Sequence, residues 1–308
     1  MLNSKISQLK DNNFNNLFDI IEVIKMVVLI DGKKIADEII ERLKSRVQKL
    51  KKKNIIPTLA IVLVGDNPAS KIYIRNKQKA CEEAGINSIL YEFHENMKEE
   101  KLIELIQQLN KDAKIHGIIV QLPLPKHINE KKILSTVSPE KDVDGLNPVN
   151  VGNLLIGNES LVPCTPKGII KMLEKMKIPV EKKNVVIVNN SNVVGKPLAM
   201  MLTNRFATVT LCHVKTKFLS QHTKKAEILI TATGVPKLIK KDMVKEGVVI
   251  IDAGISYQED KIYGDVGFDE VKDIASYITP VPGGVGPMTV AMVLENTLIL
   301  AENFASKK

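Results

Sequence analysis

Tryptophan is absent from this 308-residue sequence, aromatic residues make up only 4% of it, and arginine occurs only at Arg42, Arg46, Arg75 and Arg205. A nucleic-acid surface draws on clustered arginine and on aromatics for base stacking. These shortages argue against one, although Lys+Arg outnumber Asp+Glu by 44 to 35, a formal charge of +9. The excess is nearly all lysine, spread along segments of helical spacing. It reads as a solvated basic surface, or as a field that draws in a small polyanionic substrate or cofactor. Cysteine is scarce as well: Cys81, Cys164 and Cys212 are odd in number, far apart and without a C-x-x-C pair. That argues against a disulfide framework and a zinc site, so no metal is expected, and it points to the reducing cytoplasm. No uninterrupted apolar run reaches the roughly 18 residues of a membrane helix. The longest candidates, such as Val185–Val188 and Val248–Ile251, are strand-sized. Neither a membrane nor a nucleic acid is therefore expected as a partner. The G-x-G-x-x-G turn of dinucleotide sites is also missing.

What is present is ordinary globular chain, 44% hydrophobic and 26% charged, long enough for about two domains of roughly 150 residues. Residues 1–26 are polar and Asn-rich, too charged for a signal peptide. They are expected to form a disordered extension, or to follow from a start codon placed too early. From residue 27 strands and helices alternate. Ile35, Ile39, Leu43 and Val47 recur at helical spacing within 34–52. Leu59–Val64 is a β-branched strand, 70–84 a helix stopped by Gly85, and 117–121 a strand. A second series runs from Val185–Val188 through a turn and a helix over 197–204 to strands at 208–212, 227–231 and 248–252. Such alternation predicts α/β layers on parallel sheets, in two units split near residue 150, with ligands outside the carboxyl ends of the strands.

Three places could carry chemistry. The strand Val185–Val188 runs into Asn189-Asn190-Ser191-Asn192-Val193-Val194-Gly195-Lys196-Pro197, the position of a pyrophosphate-binding turn, with Pro197 suited to the start of a helix. Asn189 stands where the first glycine belongs, and Asn tolerates φ > 0; an ordinary strand-to-helix connection fits equally well. The next strand ends in His213-Val214-Lys215, with no acid to bond a ribose 2′-hydroxyl. A cation there favours a 2′-phosphate, unless Lys215 is merely solvated. In the first unit Ser70, Tyr73 and Lys77 share a helix face. Gln121 ends a strand, and Asp142 and Asp144 point to one side if that segment is extended. A solvated helix and a self-capping turn explain the same spacing. Last, Thr279–Met288 is rich in Gly and Pro, a stiff loop able to lie against a flat ligand, with a helix expected over 289–303 and Thr289 capping it.

Four of these segments together carry a resemblance: Asn67-Pro68-Ala69-Ser70-x-x-Tyr73-x-x-x-Lys77, Gly117–Pro125, Lys141-Asp142-Val143-Asp144-Gly145 and Pro280–Thr289. Over about residues 27–303 the sequence resembles the bifunctional methylenetetrahydrofolate dehydrogenase/methenyltetrahydrofolate cyclohydrolase family. The resemblance implies two three-layer α/β domains with parallel sheets, the second Rossmann-like, and an active-site cleft between them. A folate-binding catalytic domain would take residues 27–148 plus 283–305, and an NAD(P)-binding domain residues 149–282. It implies Lys77 as the catalytic residue, assisted by Tyr73 and Gln121, with Ser70, Tyr73, Asp144, Pro282, Gly283 and Gly286 meeting the folate. Thr165, Asn189, Asn190, Ser191, Val193, His213, Lys215, Ala253, Ile255 and Thr289 would meet the cofactor. The reaction implied is oxidation of 5,10-methylenetetrahydrofolate with NADP (NAD being possible), then hydrolysis to 10-formyltetrahydrofolate. That is cytoplasmic one-carbon metabolism feeding purine biosynthesis, carried out by a homodimer. The departures are Asn189, Asn190 and Val214, where family members place Gly, often Arg, and Ser or Arg. They leave two alternatives open: a cyclohydrolase with weak or NAD-dependent dehydrogenase activity, and a non-catalytic folate- or polyanion-binding protein.

Overall fold

The computed structural model describes residues 27–258 and 261–307; the expected N-terminal extension lies outside the described residues. The chain opens with a two-residue strand, β1 (Val28–Leu29), and helix α1 (Gly32–Lys51), capped by the Asp31 carboxylate accepting from Lys34 N–H at 2.9 Å. Strand β2 (Thr58–Val64) leads to α2 (Pro68–Ala84), β3 (Asn87–Phe93), α3 (Glu99–Lys111) and β4 (Gly117–Val120). The pairing is parallel, in the order β3-β2-β4. Short helices α4 (Glu130–Thr136) and α5 (Pro148–Leu155) and the longer α6 (Cys164–Lys175) link this unit to the second. There β5 (Asn184–Val188), α7 (Gly195–Thr203), β6 (Thr208–Cys212), α8 (Leu219–Thr223), β7 (Ile228–Thr231), β8 (Val249–Asp252), α9 (Phe268–Val271) and β11 (Tyr277–Ile278) follow, and the strands build a parallel sheet. A small antiparallel hairpin, β9 (Ser256–Gln258) with β10 (Lys261–Tyr263), stands outside that sheet. The 22-residue helix α10 (Val285–Ser306) closes the described chain.

Both sheets are covered on two faces, as parallel sheets must be. Leu59, Ile61 and Leu63 of β2 and Val185 and Ile187 of β5 point into one core that spans the two units. Their neighbours Ala60, Val62 and Val64 face a second core under α3, and Val186 and Val188 a third behind the larger sheet. The shared core is filled by α10, which packs on α1, α2 and α6 and touches β2 and β4. By length and composition α10 alone among the described helices could cross a membrane, but it is mostly buried inside the protein. It is a core helix.

One pairing was not foreseen, and two expectations need correction. β1 does not belong to the first unit's sheet: it pairs in parallel with β11, so the larger sheet runs β1-β11-β8-β7-β5-β6. Pairing between opposite ends of the chain leaves no trace in local periodicity. α10 starts at Val285, four residues before the expected start, with Gly284 as its N-cap. Pro287 falls in the first turn, where an N–H has no intrahelical acceptor to lose. Thr289 therefore caps nothing; its hydroxyl donates back to Val285 O at 3.3 Å.

Candidate active site

The first unit presents its polar side chains from one helix and one strand end. The Asn67 side chain accepts from Ser70 N–H and Pro68 sits in the first turn, which fixes where α2 begins; Gly85, at φ 77°, ends it. Ser70, Tyr73 and Lys77 then follow one another along a single face. Lys77 is 7% exposed, and its Nζ donates to Gln121 Oε1 at 2.9 Å. The Gln121 amide in turn donates from Nε2 to Leu122 O at 2.8 Å, so its oxygen is held toward the lysine. Gln121 itself is anchored by its N–H to Val62 O, one rung beyond β4. Ser70, 3% exposed, reaches the same Leu122 carbonyl at 3.5 Å. Burial, with a smaller contribution from Tyr257, pushes the Tyr73 phenol up to about 12, so it stays neutral at working pH. Asp142 and Asp144 do not face the same way. Asp142 turns inward and accepts from Asn147 N–H and Asn150 Nδ2, both at 2.8 Å. Asp144 lines the pocket that holds Lys77. Burial raises the Asp144 pKa, opposed by the Lys77 charge and the Cys164 thiol.

This pocket, about 270 Å³, lies between the units: Lys77, Gln121 and Asp144 are on one side and Thr165, Val193 and Thr289 on the other. It shares Tyr73, Ala253, Ile255 and Gly286 with a neighbouring cleft of about 390 Å³ that Pro282 and Gly283 also line. The loop between β11 and α10 shapes that boundary. Lys33 N–H donates to Gly283 O at 2.9 Å, and Gly283 takes φ 104°. A Cβ on Gly32 would lie 1.9 Å from Gly284 O, so backbone packs on backbone there. Thr165 and Thr289 hydroxyls meet at 3.0 Å across the floor.

The turn after β5 is built differently from expectation. Asn189 does not adopt positive φ. Its Nδ2 donates to Ala232 O at 2.5 Å, and its Oδ1 accepts from Ser191 N–H and Oγ, both at 2.8 Å, and from Gly195 N–H at 2.9 Å. Ser191 Oγ accepts from Val194 N–H at 3.0 Å. A Cβ on Gly195 would fall 2.0 Å from Asn189 O, so only glycine closes this turn. The Asn189 side chain is thus folded into the turn. Among the described residues, the N–H groups of Asn190 and Val193 have no protein acceptor. β6 ends in register with β5, Val188 opposite Cys212, so His213 leaves the sheet beside Asn189. His213 and Lys215 are exposed, in a turn closed by Lys215 N–H to His213 Nδ1 at 3.1 Å, His213 N–H to Thr216 Oγ1 at 2.9 Å and Thr216 N–H to His213 O at 2.8 Å; Val214 between them is 97% exposed. They stand outside both cavities.

Sequence reading missed the acids behind the Ala253–Ile255 segment. Asp252, 3% exposed, accepts from Gly254, Asp265 and Val266 N–H at 2.9–3.1 Å, and its own N–H donates to Thr279 Oγ1 at 2.8 Å. Burial, then the Asp265 charge, pushes Asp252 up to about 6. Two clashes explain the flanking glycines: a Cβ on Gly254 would strike Asp265, and one on Gly264 would strike Asp252. An acid ending a buried strand, with glycines near it, was the available signal. Asn296 was missed too, and nothing local marks it.

Residues 30–144 match the family model described as tetrahydrofolate dehydrogenase/cyclohydrolase, catalytic domain, and residues 163–305 the model for its NAD(P)-binding domain. The sequence is 54% identical to the bifunctional protein FolD of Listeria innocua over 89% of this chain and 97% of that protein. The fold is similar to the crystal structure of the bifunctional enzyme FolD, methylenetetrahydrofolate dehydrogenase/cyclohydrolase, from Campylobacter jejuni. There the TM-score is 0.88 at 52% identity, covering 90% of this chain and 99% of that one. It is similar also to the Trypanosoma brucei N5,N10-methylenetetrahydrofolate dehydrogenase-cyclohydrolase complexed with NADP and an inhibitor, with TM-score 0.87 and 36% identity, covering 90% and 98%. The chain belongs to the tetrahydrofolate dehydrogenase/cyclohydrolase family.

Proposed function

We propose that this member of the family oxidises 5,10-methylenetetrahydrofolate with NADP+ and hydrolyses the 5,10-methenyl product to 10-formyltetrahydrofolate. The observation that carries the reading is the buried amine of Lys77, held by Gln121 in a pocket that the second unit completes. Tyr73, Asp144 and Gly286 line the same space.

When bound, NADP+ supplies the hydride acceptor for the first step. Its fit is supported by the glycine-closed turn after β5, by the Asn190 and Val193 N–H groups of that turn, which have no acceptor among the described residues, and by the exposed Lys215 after β6 for a 2′-phosphate. Thr165, Ala253, Ile255 and Thr289 wall the pocket on that side. This step needs no protein base, so the chain contributes orientation and exclusion of water. In the second step water adds to the methenyl carbon, the carbon–N5 bond breaks and N5 gains a proton. Lys77 takes a proton from the attacking water and returns one to N5, and a second proton leaves to solvent. Gln121 holds the amine in place, Tyr73 orients substrate and lysine as a neutral phenol, and Asp144 accepts from the N–H groups of the pterin. Ser70, Pro282, Gly283 and Gly286 complete the folate surface.

A spectrophotometric assay of the purified chain tests this: with methylenetetrahydrofolate, reduced cofactor should accumulate faster with NADP+ than with NAD+, and methenyl absorbance should then decay. Decay of added methenyl substrate without any reduced cofactor would leave a cyclohydrolase alone. We place the enzyme in the cytoplasm, in keeping with three buried, unpaired cysteines, and infer a homodimer. Support for the dimer comes from β6, the uncovered edge of the larger sheet, beside Phe206, Leu155 and Ile156 at 78%, 64% and 79% exposure. Light scattering that returned a monomer mass at micromolar concentration would remove the dimer.

A further inference from the structure

We infer that Asn296, on α10, is the residue that positions Asp144 for the substrate, and that Lys167 holds Asn296 in the orientation this requires. The inference rests on the reading above that Asp144 meets the pterin.

Asp144 stands on a turn with no helix or strand of its own. Gly145, at φ 64°, lets the chain reverse there, and a Cβ on it would lie 2.7 Å from the Val162 carbonyl carbon. The segment carrying Asp144 therefore lies directly on the segment entering α6. Asn296, fully buried, joins the two: its Nδ2 donates to Val143 O at 2.8 Å and to Val162 O at 3.1 Å, with Cys164 Sγ at 3.5 Å. Val143 precedes Asp144, so this clasp fixes the peptide from which the carboxylate projects. Without it Val162 O would lose its donor and Val143 O would keep only the Cys164 thiol at 3.5 Å.

The clasp works only if the amide is the right way round, and Lys167 decides that. Its Nζ donates to Asn296 Oδ1 at 2.7 Å and pairs with Glu295 Oε2 at 2.6 Å. Burial pushes the Glu295 pKa up, but Lys167, with Lys171 and Arg46, outweighs it and leaves Glu295 below the ordinary range and ionised. A cation on Oδ1 turns the NH2 group toward the two carbonyls. A carboxylate at 296 would keep the lysine contact and set an oxygen against both carbonyls.

Steady-state kinetics on the full-length enzyme test this with Asn296→Ala, Asn296→Asp and Lys167→Met, and with Asn296→Ala placed in an Asp144→Asn background. Asn296→Ala should raise KM for methylenetetrahydrofolate about tenfold, the scale of one lost hydrogen bond to a buried group, while KM for NADP+ stays put. Asn296→Asp should do at least as much, and Lys167→Met less in the same direction. In the Asp144→Asn enzyme, Asn296→Ala should add nothing further, because it acts through the carboxylate already removed. Additive effects, or folate and NADP+ KM rising together, overturn the inference. If Asn296→Ala does not fold, an unchanged folate KM in Lys167→Met overturns it instead. A wild-type chain that oxidises no methylenetetrahydrofolate defeats the functional reading along with it. An active wild type with an impaired Asp144→Asn and a silent Asn296→Ala defeats this inference alone.

Discussion

The two ends of the site are built by opposite rules. At Lys77 the polar groups are buried or half-buried, and each has a partner: the amine is held by Gln121, the Gln121 amide by Leu122 O, the Asp144 turn by Asn296. At His213–Lys215 the side chains stand in solvent; hydrogen bonds among His213, Lys215 and Thr216 order the turn, but among the described residues none holds the Lys215 amine. The contrast separates what the reaction demands from what selects its cofactor. Proton transfer depends on placement within hydrogen-bond reach and suffers from small displacements. Recognition of a phosphate at the edge of a sheet needs mainly charge, which water and salt screen.

Substitution at each end breaks or sharpens that contrast. The larger effect belongs to Lys77→Met: hydrolysis of methenyltetrahydrofolate should fall by about 10²–10⁴-fold, the range for losing a placed proton-transfer group. Hydride transfer, which needs no protein base, should fall by less than about tenfold, since only orientation is disturbed. Measuring both activities on one preparation checks it; an unchanged hydrolysis rate would take Lys77 out of the mechanism. At the exposed end Lys215→Ala should raise KM for NADP+ only about two- to fivefold, as expected for a solvated ion pair, and leave KM for NAD+ alone. The rise should shrink in added salt. An equal change for both cofactors would show that Lys215 does not meet the 2′-phosphate.

The same contrast runs through what could be read without a structure. Lys77, Tyr73 and Ser70 were legible as a shared face because helical spacing and the Asn67-Pro68 start determine it locally. Gln121 was legible because a buried apolar run must end at a sheet edge. The resemblance then singled out these positions among spacings that a solvated helix explains equally well. Asp252, Asp265 and Asn296 were not legible in their roles, since each acts through backbone groups far along the chain. Asn189 was misread as a stand-in for glycine, because sequence shows that a residue tolerates φ > 0 and not that its carboxamide can staple the turn. The partner of β1 was not legible for a related reason: a two-residue strand carries no pattern that names it.

The placement of α10 has a consequence for how the protein is made. This helix is the centre of the core beneath β2 and β4, yet a ribosome delivers it after every other described element. Until translation reaches Ser306, the surfaces of α1, α2 and α6 that will receive it remain open. The first unit to emerge is thus the last to close, and during that interval its exposed apolar faces are a natural client surface for chaperones.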